Sequence, residues 1–125
     1  MDRNSKIITI KEFTNMDIFI TTPNENGVFM DRINIRIPTP TTMLLLVKVA
    51  RGENGYYFGL SYETQTGGSL FAPSLRERVY KNKEASFIAA IEYVKRHPQS
   101  FEMIHPKYLS DAVQELFDAK QLELF

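Results

Sequence analysis

Met43-Leu44-Leu45-Leu46-Val47-Lys48-Val49-Ala50-Arg51-Gly52-Glu53-Asn54-Gly55-Tyr56-Tyr57-Phe58-Gly59-Leu60-Ser61-Tyr62-Glu63-Thr64 places two β-favouring runs, 43–51 and 56–64, on either side of Gly52-Glu53-Asn54-Gly55. Branched aliphatic and aromatic side chains suit a pleated, packed surface. Asn-Gly tolerates the positive φ that a tight reversal needs. The stretch therefore predicts a β-hairpin. Its opening apolar run, Met43 to Val47, is far too short to cross a bilayer.

Downstream, Thr66-Gly67-Gly68-Ser69 reads as a flexible loop closed by Ala72-Pro73, and Ser74 to Tyr80 as the next strand of a meander. Asn82 is a good N-cap for a helix from Lys83 to His97. Phe87, Ile88, Ile91 and Val94 recur at helical spacing and form its apolar stripe. Lys95, Arg96 and His97 suit the negative end of the helix dipole, and Pro98 stops the helix. A second helix, from Pro106 or Ser110 to Lys120, would bury Leu109, Ala112, Val113, Leu116 and Phe117.

Upstream, Ile33, Ile35 and Ile37 alternate with Arg32, Asn34 and Arg36, which predicts a half-buried strand over 28–37. Asp17 to Thr22 reads as its hairpin partner across Asn26-Gly27, and Lys6 to Phe13 as a further short strand. Proline cannot donate to a sheet ladder, so Pro38 to Thr42 interrupts the strands and is the candidate boundary in the chain. The two sides are short for separate cores, which favours one α+β domain over 1–120. Its expected form is an antiparallel meander of about four to five strands with two C-terminal helices packed on one face.

Lys+Arg and Asp+Glu are both 15, so the formal net charge is zero. Bulk electrostatic binding of nucleic acid is excluded, because it rests on many cationic phosphate contacts. Any such contact has to come from a local patch or from a partner. The chain has no cysteine, which removes disulfides, thiolate chemistry and Cys-ligated zinc and fits a reducing cytosol. Met1 to Ser5 leads into an alternating run rather than a leader-like apolar segment, so a cytoplasmic, soluble protein is expected.

The last five residues are Gln121-Leu122-Glu123-Leu124-Phe125. This pentapeptide resembles the bacterial sliding-clamp-binding motif, Gln-Leu-x-Leu-Phe with a small or acidic residue at x. All four defining positions match, and the remaining one is acidic. Four fixed positions arise by chance about once in ~10⁵ windows of average composition. The resemblance implies a partner, the DNA sliding clamp, and an accessory or regulatory role in bacterial, phage or plasmid DNA replication or repair. It covers five residues and implies nothing about the fold. The side chains suit the role: Gln121 can hydrogen-bond a groove, and Leu122, Leu124 and Phe125 are apolar anchors. The competing reading continues the second helix past Lys120, since Leu116, Lys120 and Leu124 lie at helical spacing, and packs the tail on its own core. Tyr56 to Ala90 also resembles small uncharacterised proteins of bacterial mobile elements, in its aromatic strand, Gly-Gly, Ala-Pro-Ser, basic strand and helix. That likeness implies no activity.

An alternative function is a small nucleic-acid-binding module built on residues 56–83. Tyr56 and Phe58 would stack bases while Arg76, Arg78, Lys81 and Lys83 hold phosphates, with Tyr80 beside Arg76 and Arg78. The bland counterpart is an aromatic core face with solvated cations and Glu77 among them. Arg32 and Arg36 read as solvated charges, and His97 and His105 as a helix-end and a loop histidine. Gly67-Gly68 lacks the lysine spacing of a phosphate-binding loop. No pairing of nucleophile and base stands out, so no enzyme activity, cofactor or metal is expected.

Overall fold

The computed structural model describes residues 6–40, 42–65, 67–101 and 104–123, with the backbone alone at Ser69 and 121–123. It is α+β, with an open five-stranded sheet and, among the described residues, three helices. The central hairpin is β3 (Met43–Gly52) and β4 (Gly55–Thr64), in a register that opposes Gly52 to Gly55 and Arg51 to Tyr56. β2 (Ile33–Ile37) pairs antiparallel with β3, and β5 (Gly67–Phe71) antiparallel with β4. β1 (Ile7–Ile8) completes the order β1-β2-β3-β4-β5 and lies parallel to β2. β2 ends at Ile37, which pairs with Leu45 of β3; Thr41, in the expected interruption, lies outside the described residues.

One face of the sheet carries Ile35, Ile37, Leu45, Val47, Val49, Phe58, Leu60 and Tyr62 into the main core. α2 (Lys83–Arg96) covers it with Phe87, Ala90, Ile91 and Val94. Asn82 caps this helix by accepting the Ala85 N–H at 2.7 Å. α3 (Pro106–Glu123) adds Leu109, Ala112 and Leu116, and α1 (Ile10–Thr14) adds Ile10 and Phe13. Each large apolar side chain fully buried here contributes roughly 1.5–3 kcal/mol. Phe117, expected in the stripe of α3, is 47% exposed instead.

The opposite face is partly covered too, and this explains why β3 is buried along nearly its whole length rather than at alternate residues. Phe29 stacks on Tyr57 with ring centroids 5.0 Å apart and packs with Ala50. After β5 the chain crosses β4 at Gly59, where a Cβ would lie 2.4 Å from the Phe71 carbonyl oxygen. It then pairs with the 24–29 loop, through Phe29 N–H to Pro73 C=O and Leu75 N–H to Gly27 C=O. It returns to the outer edge of β4 at Tyr80, which exchanges two backbone hydrogen bonds with Tyr56 (2.7 and 2.8 Å). Gly55, at φ 140°, admits this return, since a Cβ there would lie 2.4 Å from the Tyr80 carbonyl oxygen.

Several expected elements differ. Residues 6–13 form β1 and then α1, because Thr9 and Glu12 make a reciprocal capping box that starts a helix. Residues 17–37 are not a hairpin. The 17–22 segment contributes a single bridge, Ile20 to Arg51, and Asn24 accepts the amides of Asn26 and Val28 in a local turn. Gly67-Gly68 begins β5 rather than a loop, while Thr66 lies outside the described residues. Ser74 to Tyr80 is not a meander strand, since it contacts other segments by isolated bridges at its two ends. The sheet is accordingly mixed at the β1 edge, not wholly antiparallel.

Candidate functional site

α3 carries the C-terminal segment. Its helical backbone runs to Glu123, and the last side chain on it that is seen to be buried is Leu116. At 1.5 Å per residue, about 10 Å of helix extends past that point. Over that length Phe117 and Asp118 are exposed, and Lys120 pairs with Glu84 of α2 at 3.2 Å. Of the pentapeptide, Gln121, Leu122 and Glu123 form the end of α3, with side chains that are not described; Leu124 and Phe125 lie outside the described residues.

The residues considered for nucleic acid separate into two groups. Phe58 is 7% exposed and packs edge-on to Phe71 and Tyr93, so its ring is not available to a base. The Lys83 ammonium donates to the carbonyls of Phe13 (2.8 Å), Thr14 (3.1 Å) and Met16 and lies over the Phe13 ring. It thereby closes the carbonyl end of α1, where the helix dipole is negative. Both residues serve the fold.

Tyr56, Arg76, Arg78 and Lys81 remain at the surface, together with Tyr80 and with Arg51, which the sequence reading left out. Arg51 opposes Tyr56 across the hairpin, with its guanidinium carbon 5.4 Å from the ring centroid. Tyr80 opposes Tyr56 on the other side, and the Arg78 guanidinium lies 5.6 Å over the Tyr80 ring. Cross-strand partners project from the same side of a sheet. Arg51, Tyr56, Tyr80 and Arg78 thus form one row at the hairpin end, two adjacent rings with a cation on each. Arg51 also donates to the Ile18 carbonyl at 3.1 Å, which fixes one nitrogen of its fork. Arg76, Arg78 and Lys81 are exposed, whereas Arg51, Tyr56 and Tyr80 are half-buried. Arg51 was legible in advance: a two-residue turn at Glu53-Asn54 sets it opposite Tyr56. The pairing of Tyr80 with Tyr56 was not, because it depends on the crossing at Gly59.

Elsewhere, Arg32 donates to the Phe29 carbonyl, and Arg36 is exposed. Lys48, on the face opposite the helices, is 8% exposed, and burial pushes its ammonium pKa below the ordinary value, with Arg32 adding to the effect and Glu63 opposing it. His97 stacks on Tyr93 and contacts its carbonyl at 2.8 Å, and His105 accepts the Lys107 N–H at 3.1 Å. Among the described residues no three His, Cys, Asp or Glu side chains are placed to hold a metal, and no helix is long and apolar enough to cross a membrane. No family model matches the chain, and no curated protein or solved structure matches it either.

Proposed function

We propose that this protein is an accessory or regulatory factor of bacterial, phage or plasmid DNA replication or repair, held on the DNA sliding clamp by residues 121–125. The observation that carries the reading is the four-position match of Gln121-Leu122-Glu123-Leu124-Phe125 to the clamp-binding motif. Its position supports the reading, since α3 runs about 6 Å past Leu116 before Gln121 begins.

Docking has a conformational requirement. Residues two apart on an α-helix project about 200° apart, so Leu122 and Leu124 cannot enter one shallow groove from a helical turn. The end of α3 has to open. Helix termini open at smaller free-energy cost than the body of the fold. Burial of Leu122, Leu124 and Phe125 supplies roughly 1.5–3 kcal/mol each before ordering costs. After those costs a micromolar Kd is expected for so short a peptide. Once tethered, the folded body is concentrated near DNA without needing a strong charge of its own. The test is titration of a purified bacterial clamp with the wild-type chain and with a Gln121→Ala, Leu124→Ala, Phe125→Ala variant. Micromolar binding by the wild type and at least tenfold weaker binding by the variant are expected. Equal binding by the two, or none by the wild type, rejects the proposal.

A further inference from the structure

We infer that the row Arg51–Tyr56–Tyr80–Arg78, with Arg76 and Lys81 beside it, is a binding surface for a single nucleic-acid strand. The inference stands apart from the clamp reading, because it involves other residues on the folded body.

Three features converge. First, the row is built by backbone pairing. Arg51 opposes Tyr56 in the hairpin register, and Tyr56 exchanges two hydrogen bonds with Tyr80. The rings are therefore held on adjacent strands, about 5 Å apart at the backbone. Second, each ring carries a guanidinium over it, at 5.4 Å for Arg51 on Tyr56 and 5.6 Å for Arg78 on Tyr80. Tyr56 and Tyr80 pack against the core, the Tyr80 ring 6.1 Å from that of Phe58, so the guanidinium planes over them are the flat surfaces offered to unstacked bases. Third, the charge is local. Arg51, Arg76, Arg78 and Lys81 outnumber Glu53 and Glu77 in the same two segments, in a chain of zero formal net charge. Arg51 and Arg78 lie on the rings, and Arg76 and Lys81 adjoin Arg78 and Tyr80 along the chain, within reach of phosphates flanking a stacked base.

The arrangement selects a strand over a duplex. In a duplex the base faces are already stacked, so only phosphates would meet this surface, and half-buried Tyr56 and Tyr80 would contribute nothing. An acidic peptide would satisfy the charges but leave the flat surfaces unused.

The experiment is fluorescence anisotropy of the full chain with a dye-labelled oligothymidylate of about 15 nucleotides, near the upper end of what one small module covers. Binding at low salt is expected, with a slope of log K against log salt of about −2 to −3 for three to four phosphates. Arg78→Lys keeps the charge but removes the plane. It is expected to weaken binding about three- to tenfold with the salt slope unchanged. The Arg76→Ala, Lys81→Ala variant should instead flatten the slope by about 1.4. These three residues are exposed, so the variants are expected to fold, which circular dichroism checks. A duplex of equal length and polyglutamate should each bind at least tenfold more weakly. Absence of strand binding at low salt, equal binding of the duplex or of polyglutamate, or an Arg78→Lys variant indistinguishable from wild type would overturn the inference.

Discussion

Lys81 and Lys83 are two positions apart in sequence and serve different ends. Lys81 is exposed beside the arginine–tyrosine row, whereas the Lys83 ammonium binds the carbonyls that end α1. Spacing could not separate them, because the acceptors of Lys83 come from Phe13, Thr14 and Met16, far away in the chain. Lys48 is a third case, a cation 8% exposed on a strand, with its pKa below the ordinary 10.5. Below the folded-state pKa the side chain is protonated in both states, and its burial costs the fold. Between that value and 10.5 the unfolded chain holds the proton more tightly, so stability contributed at this site rises with pH. Lys48→Met should therefore raise the urea midpoint at pH 7. The gain should shrink as the pH is raised toward 10.5. A variant less stable at pH 7, or a gain independent of pH, would contradict this account of the site.

At the scale of elements, what could be read from the sequence was what local chemistry determines. Asn82 and the 3.6-residue period identify α2, and Asn54-Gly55 identifies the β3–β4 hairpin. The same logic was available for α1 in Thr9-Ile10-Lys11-Glu12, but the alternating Ile8 and Ile10 imitate a strand. Where structure depends on contacts distant in sequence, local pattern misleads. Asp17 to Thr22 has strand composition, yet the neighbouring position on β3 is taken by β2 over Leu45 to Val49, so one bridge forms, at Arg51. Ser74 to Tyr80 leaves the edge of β4 because Gly59 lets the chain cross over the sheet. The row of cations and rings was half legible for the same reason: Arg51 and Tyr56 follow from hairpin register, and Tyr80 from the crossing. The end of α3 gives a prediction at this scale. If residues 121–125 serve a partner, deleting them should change stability by less than about 1 kcal/mol, whereas Leu116→Ala, at a fully buried site, should cost roughly 2–5 kcal/mol. Urea denaturation of both variants measures this. A deletion as costly as Leu116→Ala would mean that the tail is part of its own core.

At the scale of the whole molecule, the helices and the hairpin share one core, and the two proposed surfaces belong to separate parts of the chain. The row lies where β3, β4 and the returning 78–80 segment meet, and the pentapeptide follows the last buried turn of α3. A tail on a clamp and a strand-binding surface on the body would act together through local concentration, with no need for an overall positive charge. The most direct measurement is an amide NMR titration of the isotope-labelled full chain with unlabelled bacterial clamp. The account predicts that the resonances of Gln121 to Phe125 shift or broaden beyond the rest, that the helical signature of Gln121 to Glu123 is lost on binding, and that Leu109 to Leu116 keep the signature of a packed helix. Unchanged tail resonances at clamp concentrations well above micromolar, or perturbations centred on the folded body instead, would contradict it.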